Sequence, residues 1–207
     1  MPEKQPIFIT GISTGIGKTI VSAIITEKLK ADYWKPIQSG DLDVSDTLTI
    51  KKLISNTETV FHPETYALTQ PFSPHKSAAI DKITIDIDKF VLPKTDKQLI
   101  IEGAGGLMVP LNDSVLIVDL IKKLNAKVIV VSKHYLGSIN HTLLTVAVLK
   151  QYDIPIMGIV FNGEKDIYSK TFILDYTGLP LLGDVPQMKE IDKKAIVRAT
   201  SSIDLNL

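Results

Sequence analysis

Ile7-Phe8-Ile9-Thr10-Gly11-Ile12-Ser13-Thr14-Gly15-Ile16-Gly17-Lys18-Thr19 passes from an apolar run through a glycine-rich turn into the helical pattern IVSAIITEKL. Glycines in such a turn let backbone N–H groups converge on an anion, and the helix N-terminus adds partial positive charge. Lys18 supplies a point charge for the β- and γ-phosphates, and the Thr19 hydroxyl suits Mg²⁺. The spacing departs from the usual phosphate loop: five residues separate Gly11 from Gly17, and Ile12 stands where the first glycine is expected. A strand, a glycine turn and Gly-Lys-Thr at a helix start predict a nucleoside triphosphate site rather than a plain connection.

Outward from this loop, apolar runs alternate with amphipathic segments. Ile7–Thr10, Leu99–Glu102, Lys127–Ser132, Ile156–Phe161 and Leu181–Val185 are rich in Val and Ile, as strands buried on both faces are. Lys18–Leu29, Thr47–Leu53, Ser114–Leu124, Ser138–Gln151 and Tyr168–Tyr176 read as helices. This alternation predicts an α/β fold, with a mostly parallel central sheet flanked by helices on both faces. No repeat or linker divides the chain, so residues 1–207 are expected to form a single domain. His62–Ala79 reads as an irregular excursion within it. Ligands of open parallel sheets sit at the carboxyl ends of strands, which directs attention to the loops after Thr10, Gln38, Glu102, Ser132 and Phe161.

Composition narrows the chemistry. The 207 residues carry 23 Lys plus Arg against 23 Asp plus Glu, a net charge of zero, so no global field points to nucleic acid or an anionic membrane. A neutral total still leaves room for a local basic pocket. Without a cysteine the chain has no disulfide scaffold, thiolate zinc site, iron–sulfur cluster or cysteine nucleophile. The start MPEKQPIFIT lacks the apolar core of a signal peptide, and no apolar run reaches membrane-spanning length. A soluble, cytoplasmic protein is expected, with neither nucleic acid nor membrane as partner.

Mg²⁺ beside phosphates needs one or two carboxylates. Glu102 ends the buried run LIIEGAGG, a costly place for an unpartnered carboxylate, and Gly103–Gly106 would let backbone approach a ligand. Asp46 reads either as a helix cap or as a metal ligand. Lys35 follows the strand-like Tyr33-Trp34. It reads as a surface lysine or, at a strand end beside the phosphate loop, as a neutraliser of phosphoryl charge. Ser39-Gly40 makes a turn able to hold a small ligand.

In order along the chain, these motifs resemble those of the dethiobiotin synthetases of the P-loop NTPase superfamily. Gly11–Thr19 matches the family's phosphate loop, five-residue gap included, and Lys35-Pro36-Ile37-Gln38-Ser39-Gly40 its Lys-Pro-x-x-Ser/Thr-Gly segment. Ser45-Asp46, Ser73-Pro74-His75, Glu102–Gly106 with Val109-Pro110-Leu111, Leu136–His141, Asn162 and Leu181–Pro186 are similar to further family segments. The resemblance implies an ATP- and Mg²⁺-dependent closure of 7,8-diaminononanoate and CO₂ to dethiobiotin, through a carbamate and its phosphoric anhydride. It implies Lys35 and Lys18 as catalytic groups flanking the transferring phosphate, and Thr19, Asp46 and Glu102 as holders of Mg²⁺. Gly15, Ile16, Gly17, Lys18, Thr19, Ile20, Asp46, Glu102, Gly103, Ala104 and Gly105 would surround the nucleotide. Asn162, Gly163, Pro186, Gln187 and Met188 would line the adenine site, and Thr14 and Ser39 would touch the diamine. The family is a homodimer, in which Ser138, Ile139 and Asn140 would reach the neighbour's substrate from a helix N-terminus.

The chain also departs from the family. Ser13 replaces its usual Asp, Gly15 a frequent Glu, and Lys193 aligns with an acidic nucleotide contact for which Glu190 or Asp192 could substitute. Tyr33 and Trp34 read as core or as stacking rings, and His75 and His141 as structural or substrate-facing. The competing reading is a switch ATPase of the ParA/MinD type. Its signature lysine lies five residues before the loop lysine, where this chain has Ser13. Amidotransferase ligases of the same fold need a catalytic cysteine that this chain lacks.

Overall fold

Ile7, Phe8 and Ile9 have no exposed surface, as befits a strand with neighbours on both edges and cover on both faces. They belong to β1 (Ile7–Gly11), the middle strand of a seven-stranded parallel sheet. A computed structural model describes residues 4–205. From β1 the chain runs through α1 (Lys18–Leu29), β2 (Asp32–Trp34), β3 (Ile37–Ser39), α2 (Asp46–Leu53), β4 (Phe61–His62), β5 (Tyr66–Leu68) and α3 (Pro74–Ile80). It continues as β6 (Leu99–Glu102), α4 (Ile117–Lys123), β7 (Lys127–Ser132), α5 (Ser138–Gln151), β8 (Ile156–Gly163), α6 (Ile167–Thr177), β9 (Leu181–Pro186) and α7 (Lys193–Ala199).

The strand order is β4-β2-β6-β1-β7-β8-β9, and β3 and β5 form a separate parallel pair. Helices flank the sheet, giving the expected α/β architecture. Parallel register brings Ile9 opposite Glu102 and Tyr33 opposite Ile100, so the carboxyl ends of β1, β2 and β6 finish side by side. The phosphate loop therefore leaves the centre of the sheet, with Glu102 on the neighbouring strand and Lys35 just past the next one. No helix among the described residues is long and apolar enough to cross a membrane.

Three segments depart from the pattern read in the sequence. The helix expected from Ser114 begins only at Ile117. The Asn112 carboxamide accepts from the N–H groups of Ser114 and Val115, and Asp119 closes the helix start on Leu116 N–H. His62–Ala79 is not irregular throughout: Tyr66–Leu68 pairs with Ile37–Ser39, and Pro74 opens α3 at the position where a missing N–H costs nothing. Three-residue strands are too short to display an alternation. Finally, α7 follows β9, with Asp192 accepting from Ala195 N–H at 2.7 Å as its cap.

The far end of α1 is clamped by Glu27. Its Oε2 accepts from the N–H of Ser55, the N–H of Asn56 and the Asn56 side-chain amide at 2.8, 3.0 and 3.0 Å. Partial burial works to raise the Glu27 pKa, but these donors outweigh it and hold the group below its ordinary value. Glu27→Ala is expected to cost about 1–2 kcal/mol, roughly 2–8 °C in Tm at pH 7. Because the folded pKa is depressed, this stability is present above the unfolded pKa and is lost as pH falls through the folded one. Thermal melts of the two proteins should therefore differ at pH 7 and converge on acidification. Superposed melts at pH 7 would show that the clamp contributes nothing.

Candidate active site

Gly17, at φ 91°, turns the phosphate loop into α1, and no side chain among the described residues caps that helix. The N–H groups of its first turn are left open to an anion. A Cβ at Gly17 would lie 2.0 Å from the Asn162 amide nitrogen, which donates to Ile16 O at 2.8 Å. Glycine is thus required both by conformation and by the close approach of β8. Ile12 and Ile16 turn into the core and anchor the loop from within. Lys18 bends back to donate to Ser13 O at 3.0 Å. Burial lowers its pKa to about 8, with Glu102 and Asp46 opposing the shift and Lys35 adding to it.

Around Thr19 the charged residues meet. Its hydroxyl lies 2.8 Å from Asp46 Oδ1 and 2.9 Å from Glu102 Oε1. Lys35 Nζ sits 2.6 Å from Asp46 Oδ2 and 3.3 Å from Glu102 Oε1, and donates to Gly103 O at 3.0 Å. Glu102 is 1% exposed and Lys35 4%. Burial alone would lower the Lys35 pKa, but the two carboxylates outweigh it and hold the lysine charged. Burial likewise works against the Asp46 carboxylate, and Lys35 with Thr19 reverses that and keeps its pKa low. Tyr33 OH donates to Glu102 Oε2 at 3.0 Å, and burial together with the carboxylates holds its pKa well above the usual phenol value.

This donor set fits Mg²⁺. A threonine hydroxyl has one proton, yet Thr19 faces two carboxylate oxygens, so one of the two contacts has no hydrogen to make it. A hard cation that takes one or two carboxylates and otherwise keeps phosphate and water oxygens suits that arrangement.

Sequence-predicted residues fall into three groups. Thr14, Gly15, Gly17, Lys18, Thr19, Ile20, Lys35, Ser39, Asp46, Glu102, Ala104 and Gly105 line one cavity of about 700 Å³, with Gly103 bonded to Lys35 beside it. Asn162 and Gly163, at the end of β8, adjoin the loop from the other side; Gly163 pairs with Pro186, and the Gln187 side chain reaches over it. Ser138, Ile139 and Asn140 do not line the large cavity. They open α5, whose His141, Leu144, Thr145 and Val148 border a second cavity of about 410 Å³ against Ile12–Thr14 and Gly106–Val109.

Several open alternatives close here. Ser45, not Asp46, caps α2, accepting from Leu48 N–H, which leaves the Asp46 carboxylate for Lys35 and Thr19. Tyr33 and Trp34 are both buried, so neither is a stacking platform, and Trp34 donates to Pro63 O. Asp192 is engaged as the cap of α7. Residues that the motifs did not single out also belong to the site. Gln38 donates to Gly40 O and accepts from Asp46 N–H, fixing the start of α2, and Pro71 and Phe72 wall the cavity opposite the loop. Gln38 occupies an unspecified position of the Lys35–Gly40 motif, whereas Phe72 carries no local signal.

The family described as an AAA domain matches residues 5–195. The chain is 49% identical to the ATP-dependent dethiobiotin synthetase of Christiangramia forsetii over 196 residues, covering 95% of this chain and 93% of that one. It is also 49% identical to the ATP-dependent dethiobiotin synthetase of Cytophaga hutchinsonii, over 91% of this chain and 92% of the other. Among solved structures, the septum site-determining protein MinD of Pyrococcus horikoshii, complexed with Mg-ADP, aligns with a TM-score of 0.59 at 16% identity, over 94% and 86% of the two chains. That likeness identifies the fold as that of P-loop NTPases. Similarity of this extent, joined to a phosphate loop closed by a buried lysine and two carboxylates, makes the chain a member of the ATP-dependent dethiobiotin synthetases, a family of ligases.

Proposed function

We propose that this protein forms dethiobiotin from 7,8-diaminononanoate, CO₂ and ATP in biotin biosynthesis, releasing ADP and phosphate. One amine of the substrate adds to CO₂ and loses a proton, giving a carbamate. A carbamate oxygen attacks the γ-phosphorus of ATP, the bond to ADP breaks, and a carbamic-phosphoric anhydride results. The second amine attacks the carbonyl carbon, phosphate leaves, and the ureido ring closes. No protein nucleophile takes part, which accords with a chain that has no cysteine.

The observation that carries this reading is Lys35, a buried cation held against Asp46 and Glu102 at the edge of the cavity that also contains the phosphate loop. Lys35 and Lys18 neutralise charge on the transferring phosphoryl group. Thr19, Asp46 and Glu102 hold Mg²⁺, which supplies Lewis-acid stabilisation of the phosphate oxygens when bound. Thr14 and Ser39 contact the diamine; the buried Ser39 hydroxyl has no hydrogen-bond partner among the described residues and is free to do so. The first turn of α1 takes the phosphates, and Asn162, Gly163, Pro186, Gln187 and Met188 take the adenine. A cytoplasmic homodimer completes the proposal, with Ser138, Ile139 and Asn140 serving the neighbour's substrate. Exposed Met108 and Leu144, which line the second cavity, support an association through that face.

The rival reading as a switch ATPase separates cleanly by experiment. Incubated with Mg²⁺ and ATP, the protein should release phosphate only when both diaminononanoate and bicarbonate are present; release indifferent to the diamine would favour the switch. Lys35→Ala should lower kcat by about 10²-fold or more while ATP binding stays detectable. Its melting temperature should be recorded alongside, because Glu102 and Asp46 lose their cation. Turnover equal to that of the unmodified protein would remove Lys35 from the mechanism. Glu102→Gln should raise the Mg²⁺ concentration needed for half-maximal activity by roughly tenfold or more. An unchanged metal requirement would contradict its assignment as a ligand.

A further inference from the structure

We infer that Tyr33 is a positioning residue for the metal site: its phenol fixes the rotation of the Glu102 carboxylate so that Oε1 faces Thr19 and Asp46. The geometry comes from the sheet. Tyr33 on β2 stands opposite Ile100 on β6, and Glu102 lies two residues beyond Ile100 on the same face. A phenol is long enough to reach along that face, and its hydroxyl lies 3.0 Å from Glu102 Oε2. The other hydrogen bonds to this carboxylate, from Thr19 at 2.9 Å and Lys35 at 3.3 Å, both go to Oε1. Each oxygen therefore has its own partner, and the terminal torsion, broad and roughly two-fold in a free glutamate, is held in one orientation.

The ring itself is fixed. Tyr33 is wholly buried and packs against Phe61 with centroids 5.9 Å apart at an interplanar angle of 58°. Its neighbour Trp34 points to the opposite face of β2 and bonds Pro63 O, away from the carboxylates. The position thus offers a pair of substitutions, one that removes the bond to Glu102 and one that disturbs only the strand.

This inference rests on the reading of Glu102 as a metal ligand, and the test distinguishes the two. Mn²⁺ is titrated into the protein with ADP present, and free Mn²⁺ is followed by electron paramagnetic resonance in the unmodified chain, Tyr33→Phe, Trp34→Phe and Glu102→Gln. Tyr33→Phe keeps the ring and should weaken Mn²⁺ binding by roughly tenfold. Its kcat should recover toward the unmodified value at saturating metal. Trp34→Phe should leave the Mn²⁺ affinity unaltered. If Glu102→Gln binds Mn²⁺ as the unmodified chain does, the ligand reading falls. If Glu102→Gln weakens binding and Tyr33→Phe does not, the role of Tyr33 alone falls. Equal weakening by Trp34→Phe, or a kcat loss in Tyr33→Phe that excess metal fails to repair, would reduce Tyr33 to a packing residue and overturn the inference.

Discussion

A carboxylate with 1% of its surface exposed governs this molecule. Glu102 ends a strand in the middle of the sheet, where an unpaired charge would cost several kcal/mol. Three different segments supply its partners: Thr19 from the first helix, Lys35 from beyond the second strand and Tyr33 from within it. They can meet only if β2, β6 and β1 lie side by side and in parallel register, and that is the strand order found. The charge requirement and the topology therefore enforce each other. Removing a partner from such a cluster harms more than the pair is worth, because the remaining charge stays buried.

The same cluster explains how a chain of zero net charge accommodates a polyphosphate. Lys18 and Lys35 are both nearly buried but held in opposite electrostatic conditions. Burial dominates at Lys18 and lowers its pKa to about 8, whereas Glu102 and Asp46 overcome burial at Lys35 and keep it charged. Lys35 thus keeps its charge through partners within the protein, while Lys18 gains most from an anionic ligand. A neutral sum conceals this division completely.

Legibility in the sequence followed the range of each interaction. The phosphate loop, α1, α5 and the long buried strands rest on contiguous patterns, and their residues could be read directly. Asp46 reads either way because a cap and a ligand share the same residue type; the Ser45 bond to Leu48 N–H excludes the cap and leaves the Asp46 carboxylate to Lys35 and Thr19. The pattern starts α4 at Ser114, three residues too early, because Asn112 captures two N–H groups that a helix would use, a competition set by one side chain. For Tyr33 the local pattern allows core or a stacking ring. Its bond to Glu102 spans 69 residues and depends on strand register, which no local pattern encodes.

Fold and chemistry also separate at this site. A likeness to MinD at 16% identity attests the layered sheet and its loop, and nothing that a shared fold provides can choose between a switch and a ligase. The choice lies in individual positions. At Ser13 a switch would place a lysine; here the side chain is exposed and the backbone carbonyl receives Lys18. Beyond β2, Lys35 is fastened to both carboxylates, so the cationic charge at the cavity comes from within the same chain and is present before any partner binds. A switch gains by assembling its charges on demand, whereas a ligase gains by holding them in place. The interior fastening of Lys35 belongs with the second design.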